Sequence, residues 1–286
     1  MSDEEACMKI HTYTYDVNIP NQDSSKTRRL NFDGYNLNGR VDLTNISKAT
    51  GEAMWPCCAL LADYLNESTN LKDTVSTKDD SSPFEEQFQI LELGCGLGLA
   101  GAVASVRFGP SSRIVMTDGD VGVVERAKQI SELNYVEGED AKTIHDVLWW
   151  GDQEQMQKMK ENTNDGIGFD LVIASDVIYD SNAEVTAKNF SMTVDYLLKR
   201  NSKRCQPKCL VAFQQRSVDV DIFYKAFHKI GFDVRVPDGD YYEDIFGERH
   251  DERTCFTDKF LLCFERRLKI ESEDFAKENL VECKKE

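Results

Sequence analysis

The chain has 286 residues and a formal net charge of −17, an excess of acid that repels nucleic-acid phosphates and draws a basic partner. Hydrophobic residues make up 41%, enough for a substantial core in one large domain or two small ones. No apolar run reaches the roughly 18 residues of a membrane helix, and the acidic opening MSDEEACMKI lacks the layout of an export signal, so membrane and secreted classes are set aside.

Residues 1–49 read as an N-terminal extension. Within it, Leu30–Phe32 and Val41–Leu43 alternate enough to predict a hairpin turning at Asn38–Gly39. A helix is expected after Thr50–Gly51, where Pro56 suits a first turn and Ala59, Leu60, Ala62 and Leu65 form one face. The polar stretch 66–87 then reads as a mobile insertion of 22 residues.

From here the pattern is regular. Apolar runs at 88–93, 112–117, 143–149, 169–174, 208–213, 232–236 and 259–264 predict seven strands. Helical faces fill the intervals at Leu97–Phe108, Val121–Asn134, Ala183–Lys199 and Ser217–Ile230. Alternation of this kind predicts a Rossmann-like, doubly wound α/β domain over 50–266 with a mostly parallel seven-stranded sheet. The acidic, aromatic stretch 237–258 offers no crossover helix, so the last strand is expected antiparallel. Residues 267–286 read as a charged tail.

The segment ILELGCGLGLAG, 90–101, carries two glycine motifs. Gly96, Gly98 and Gly101 satisfy the dinucleotide pattern G-x-G-x-x-G, whereas Glu92, Gly94, Gly96 and Gly98 spell E-x-G-x-G-x-G. The first register drives the strand through Glu92, Gly94 and Cys95, placing a carboxylate inside a central strand. The second ends the strand near Leu93, leaves Glu92 at its rim and gives the loop to Gly94, Cys95 and Gly96 as a nucleoside cradle. Asp118 follows the next strand, where a carboxylate accepts hydrogen bonds from ribose hydroxyls; NAD enzymes use an acid there too. The strand in GFDLVIASDVIYD delivers Ser175, Asp176 and Tyr179 to the same rim, although Asp176 is also suited to capping a helix near Asp180 and Tyr179 to packing.

The order Trp55, LELGCGLG, TDGD, LWWG, ASDVIYD and FQQRS, over about 45–265, resembles the seven-strand S-adenosylmethionine-dependent methyltransferases, and among them methyltransferase family 16, the protein-lysine group. The spacing Asp176-Val177-Ile178-Tyr179, with the upstream Thr-Gly and Trp, carries the likeness more specifically than the glycine loop. The resemblance implies that Trp55 closes over S-adenosylmethionine and that Gly94, Cys95 and Gly96 form the loop beside it. It further implies that Asp118 holds the ribose, Trp150 packs near the adenine and Ser175 contacts the cofactor from beneath. Trp149 is expected to be a structural neighbour of Trp150. Two departures stand out: Ser175 replaces the usual Ala, and the insertion widens the gap after Trp55.

The resemblance also implies that Asp176 and Tyr179 are the catalytic pair and that the substrate is a basic protein presenting a lysine. Small-molecule or histidine acceptors, an NAD-dependent oxidoreductase and a scaffold without catalysis stay open as alternatives. The aromatic and acidic segment YYEDIFGERHDERT is the candidate substrate contact. Nine cysteines without paired spacing, of which Cys205 and Cys209 are the nearest to a metal pair, predict reduced thiols and no metal. A monomer in the cytoplasm, or also in the nucleus, is expected.

Overall fold

The computed structural model describes residues 10–19, 26–35, 51, 53–68, 87–163, 166–179, 182–202, 205–216, 218–235 and 259–267. The expected turn at Asn38–Gly39, Val41–Leu43, nearly all of the 66–87 insertion, the 237–258 stretch with its candidate substrate contact, and the tail beyond Arg267 lie outside them.

Leu30–Phe32 forms a hairpin with an earlier segment. Strand β1, Ile10–Asn18, pairs antiparallel with β2, Thr27–Tyr35, so that Val17 sits opposite Arg28 and Tyr15 opposite Leu30. Tyr13 and Tyr15 face inward between exposed Thr12, Thr14 and Asp16, a period of two. Val17, Leu30 and Phe32 are buried in the main core, so this extension is packed onto the domain.

Helix α1 spans Pro56–Glu67, with Trp55 as its N-cap and Pro56 supplying a first turn that needs no N–H. It runs past residue 66, taking the first two residues expected in the insertion. The domain continues as β3 (Phe88–Leu93), α2 (Leu99–Phe108), β4 (Ser112–Asp118), α3 (Val121–Asn134), β5 (Lys142–Val147), α4 (Gln153–Glu161), β6 (Leu171–Ser175), α5 (Ala183–Leu197), β7 (Lys208–Gln214), α6 (Asp221–Lys229), β8 (Phe232–Arg235) and β9 (Lys259–Arg266). Helix α4 was not expected: only Met156 and Met159 of its nine residues are buried, too few to mark a face.

The seven strands follow the order β5-β4-β3-β6-β7-β9-β8. Strands β3 to β7 are mutually parallel, and β9 runs antiparallel between β7 and β8. Alternate strand residues serve opposite cores. Ile90, Ile114 and Ile173 meet α1, α2, α3 and the hairpin, while Leu91, Val115 and Val172 meet α4, α5 and α6. The order reverses between β3 and β6, and in an open sheet the crevice at that reversal is where a ligand binds.

The second core centres on phenylalanines. Phe227 is fully buried, with its ring centroid 3.9 Å from that of Phe264 and 5.4 Å from that of Phe232. Truncation there removes these ring contacts, and a third to Phe190, and leaves a cavity. Phe227→Ala is therefore expected to cost about 3–5 kcal/mol in urea denaturation.

Candidate active site

Because β3, β4, β5, β6 and β7 run parallel, their last residues share one edge, and the loops leaving β3, β4, β5 and β6 line a cleft of about 500 Å³. Backbone hydrogen bonds carry the register into the loops: Cys95 N–H donates to Thr117 O at 2.8 Å, Leu148 N–H to Asp118 O at 3.0 Å and Asp176 N–H to Ala212 O at 2.8 Å. The loop residues are thus fixed nearly as firmly as the strands.

Strand β3 ends at Leu93, as the second glycine register requires. Gly96 has φ +52°, a conformation that favours glycine, and a Cβ there would lie 3.2 Å from the carbonyl oxygen of Gly51. Gly101 does not face the cleft. A Cβ on it would meet Glu92 Oε2 at 2.5 Å and Met116 Cε at 2.7 Å, so its bareness lets α2 lie on the sheet.

Glu92 departs from its expected place. Its side chain is 1% exposed, does not line the cleft, and accepts a hydrogen bond from Gly101 N–H at 3.1 Å. Burial raises its pKa to about 8, against the lowering effect of that hydrogen bond and with a further upward push from Asp118. Alternation explains the orientation: Leu91 and Leu93 point to the second core, which sends Glu92 towards α2.

Asp118 does line the cleft. Its Oδ2 accepts from Gly96 N–H at 3.3 Å and its Oδ1 from Asp120 N–H at 3.2 Å, which tie the acid to the glycine loop. Burial raises its pKa, opposed by these backbone donors. Gly94, Cys95, Ser175 and Trp55 line the same cleft. Ser175 Oγ lies 3.0 Å from Cys58 Sγ on α1, and burial pushes that thiol up to about 12, so it is an inert wall.

Both tryptophans line the cleft, and they are held differently. Trp150 lines the cleft but is anchored in the second core, edge-on to Phe190 at 5.1 Å. Trp149 is 61% exposed and lies over Gly119, where a Cβ would sit 3.5 Å from its ring. Trp149 is therefore the aromatic surface beside Asp118.

Asp176 and Tyr179 open on the same cleft. Asp176 is 7% exposed and has φ +55°, a left-handed conformation that an aspartate tolerates better than most residues. It does not cap the following helix, whose N-cap is Asn182. Instead its carboxylate accepts two hydrogen bonds from Arg216, Nη1 to Oδ1 at 3.1 Å and Nη2 to Oδ2 at 2.6 Å. Gln214 N–H adds a third at 3.4 Å. Tyr179 is 56% exposed at the mouth. The sequence reading gave Arg216 no role; its signal was a cation two residues beyond a buried strand, on the rim already holding Asp118 and Asp176.

A parallel sheet reversing between β3 and β6, with a glycine loop after β3, an acid ending β4 and a polar turn after β6, defines a class I S-adenosylmethionine-dependent methyltransferase. A family model described as lysine methyltransferase matches residues 40–230, about two thirds of the chain, and the chain belongs to that family. No curated protein matches it at a significant level. Among solved structures it is similar to TrmN from Thermus thermophilus, at 13% identity and TM-score 0.44, covering 74% of this chain and 52% of that one. It is also similar to fibrillarin from Aeropyrum pernix with bound S-adenosylmethionine, at 16% identity and TM-score 0.39, covering 68% and 74%. The chain thus spans about half the length of the Thermus protein.

The cleft fits S-adenosylmethionine, the cofactor of the class. A Cβ-free cradle at Gly96 admits close approach to backbone, Asp118 supplies acceptors for hydroxyls, and Trp149, Leu148 and Val123 supply an apolar wall.

Glu92 sets a pH test. Its folded pKa, about 8, lies above the ordinary 4.5, so the folded chain holds a proton that the unfolded chain has released between these values. Stability is expected to fall as pH rises from 5 to 8 and then level off. Glu92→Gln, which keeps an acceptor for Gly101 N–H, should lose less stability over that range in urea denaturation at each pH.

Proposed function

We propose that this chain methylates the ε-amino group of a lysine in a basic protein. The observation that carries the reading is the pairing, on one cleft, of the Gly96–Asp118 cradle with Asp176 and Tyr179. When bound, S-adenosylmethionine supplies a methyl group on a positively charged sulfur.

The chain's own contribution is chiefly orientation, because an in-line displacement needs the amine lone pair held opposite the leaving group. Asp176 is suited to this task and poorly suited to strong base catalysis, since Arg216 already donates to both of its oxygens. A carboxylate has about four acceptor sites, so positions remain for an N–H of the arriving amine. The amine must be neutral to react, and the apolar flank formed by Val177 and Trp150 favours that form. Tyr179 adds an aromatic face for a methylated ammonium product and a hydroxyl for the incoming amine. The net charge of −17 favours encounter with a basic partner.

Incubation of the purified protein with labelled S-adenosylmethionine and cell lysate, followed by mass spectrometry, tests the acceptor. Label on lysine is the expected result; label confined to histidine or to small molecules defeats the lysine reading. In the same assay, Asp176→Ala or Tyr179→Phe should lower transfer by about tenfold or more while calorimetric affinity for S-adenosylhomocysteine changes by less than about threefold. Asp118→Ala should do the reverse, weakening cofactor affinity about tenfold by loss of a charged acceptor.

A further inference from the structure

Arg216 joins two parts of the site that come from distant chain segments. Its guanidinium forks onto Asp176, after β6, and its Cζ lies 5.1 Å from the ring centroid of Trp55, at the start of α1. Trp55 and Asp176 both line the cleft, whereas Arg216 does not. One cation therefore backs two lining side chains from outside.

Its own placement is well determined. It lies two residues beyond Gln214, the last residue of β7, and Nη2 also donates to Gln214 Oε1 at 2.7 Å. The Gln214 main-chain N–H returns to Asp176 Oδ1, so the carboxylate is held by side chain and backbone of one short segment. The carboxylate is 2% exposed and the guanidinium 37%, a partly buried pair in which a planar fork meets two oxygens. A lysine in that place supplies one point charge and lacks both the fork and the flat face that lies on an indole.

We infer that Arg216 is a positioning residue that locks the acceptor carboxylate of Asp176 to the cofactor-side indole of Trp55. This rests on Asp176 being the acceptor group. In-line transfer is sensitive to the placement of acceptor relative to donor, and a shared cation fixes one against the other. The lock also accounts for the left-handed backbone at Asp176, since a strained residue persists only where its surroundings over-determine it.

The test uses the full chain and S-adenosylhomocysteine as probe, with affinity measured by calorimetry and folding by thermal melting. Arg216→Gln should bind the probe about three- to fivefold more weakly, the scale of one partly exposed cation–π contact. Asp176→Asn should lose about twofold, because it acts through the loosened Arg216, and the double variant should lose no more than Arg216→Gln alone. Arg216→Lys should fall between wild type and Arg216→Gln, and it serves as the readout should the glutamine variant fail to fold. Unchanged affinity in a variant that melts like the wild type, or additive losses in the double variant, would overturn the inference. Because the probe carries no methyl group and needs no acceptor, these results are independent of the lysate labelling. Absence of labelled lysine would remove the acceptor reading and leave the Arg216–Trp55 coupling measurable.

Discussion

The hydrogen bond from Gly101 N–H to buried Glu92 fixes the turn on which the site is built. It joins the penultimate residue of β3 to the first turn of α2, and the glycine loop is the chain between them. With both ends held, Gly94 and Gly96 can present backbone to a ligand without the loop collapsing onto the sheet. The carboxylate also occupies space that a side chain at position 101 would need, so loop shape and helix approach are one constraint. A charge buried at this depth costs several kcal/mol if it stays ionised, and protonation is the cheaper solution.

From this turn outward, the site is assembled by strand register. Asp118 reaches the loop because β4 pairs with β3 residue for residue, Thr117 beside Leu93. Asp176 reaches the same edge because β6 lies on the other side of β3. Arg216 arrives through β7, one strand further, where Ser175 stands beside Ala212. Chemistry is thus spread over the ends of β4, β6 and β7, on both sides of β3, each contributing one charged side chain, and Trp55 closes the set from the start of α1.

Most of the sheet was legible because buried parallel strands read as short apolar runs and amphipathic helices as periodic ones. Strands β3, β4 and β7 begin where their apolar runs begin, and α3 has the bounds expected of it. The failures have physical causes. Helix α4 lies at the margin and buries two methionines, so it leaves almost no pattern. Strand β1 is built of Thr and Tyr, whose alternation is one of exposure more than of hydropathy. Glu92 was placed at the rim because carboxylates are rarely buried, and only the pleat of β3 shows it turned inward. Arg216 stands in the quoted FQQRS, but its role rests on a contact with Asp176, 40 residues away.

The position of β9 bears on how the domain comes into being. It is the last described strand in the chain, yet it lies between β7 and β8, so the sheet is completed out of sequence order. Until residues 259–266 arrive, β7 has an open hydrogen-bonding edge along its apolar run, and β8 lacks the strand it pairs with. A nascent chain held at that stage would present a template for pairing with other chains. Late insertion of one strand therefore separates the order of synthesis from the order of assembly.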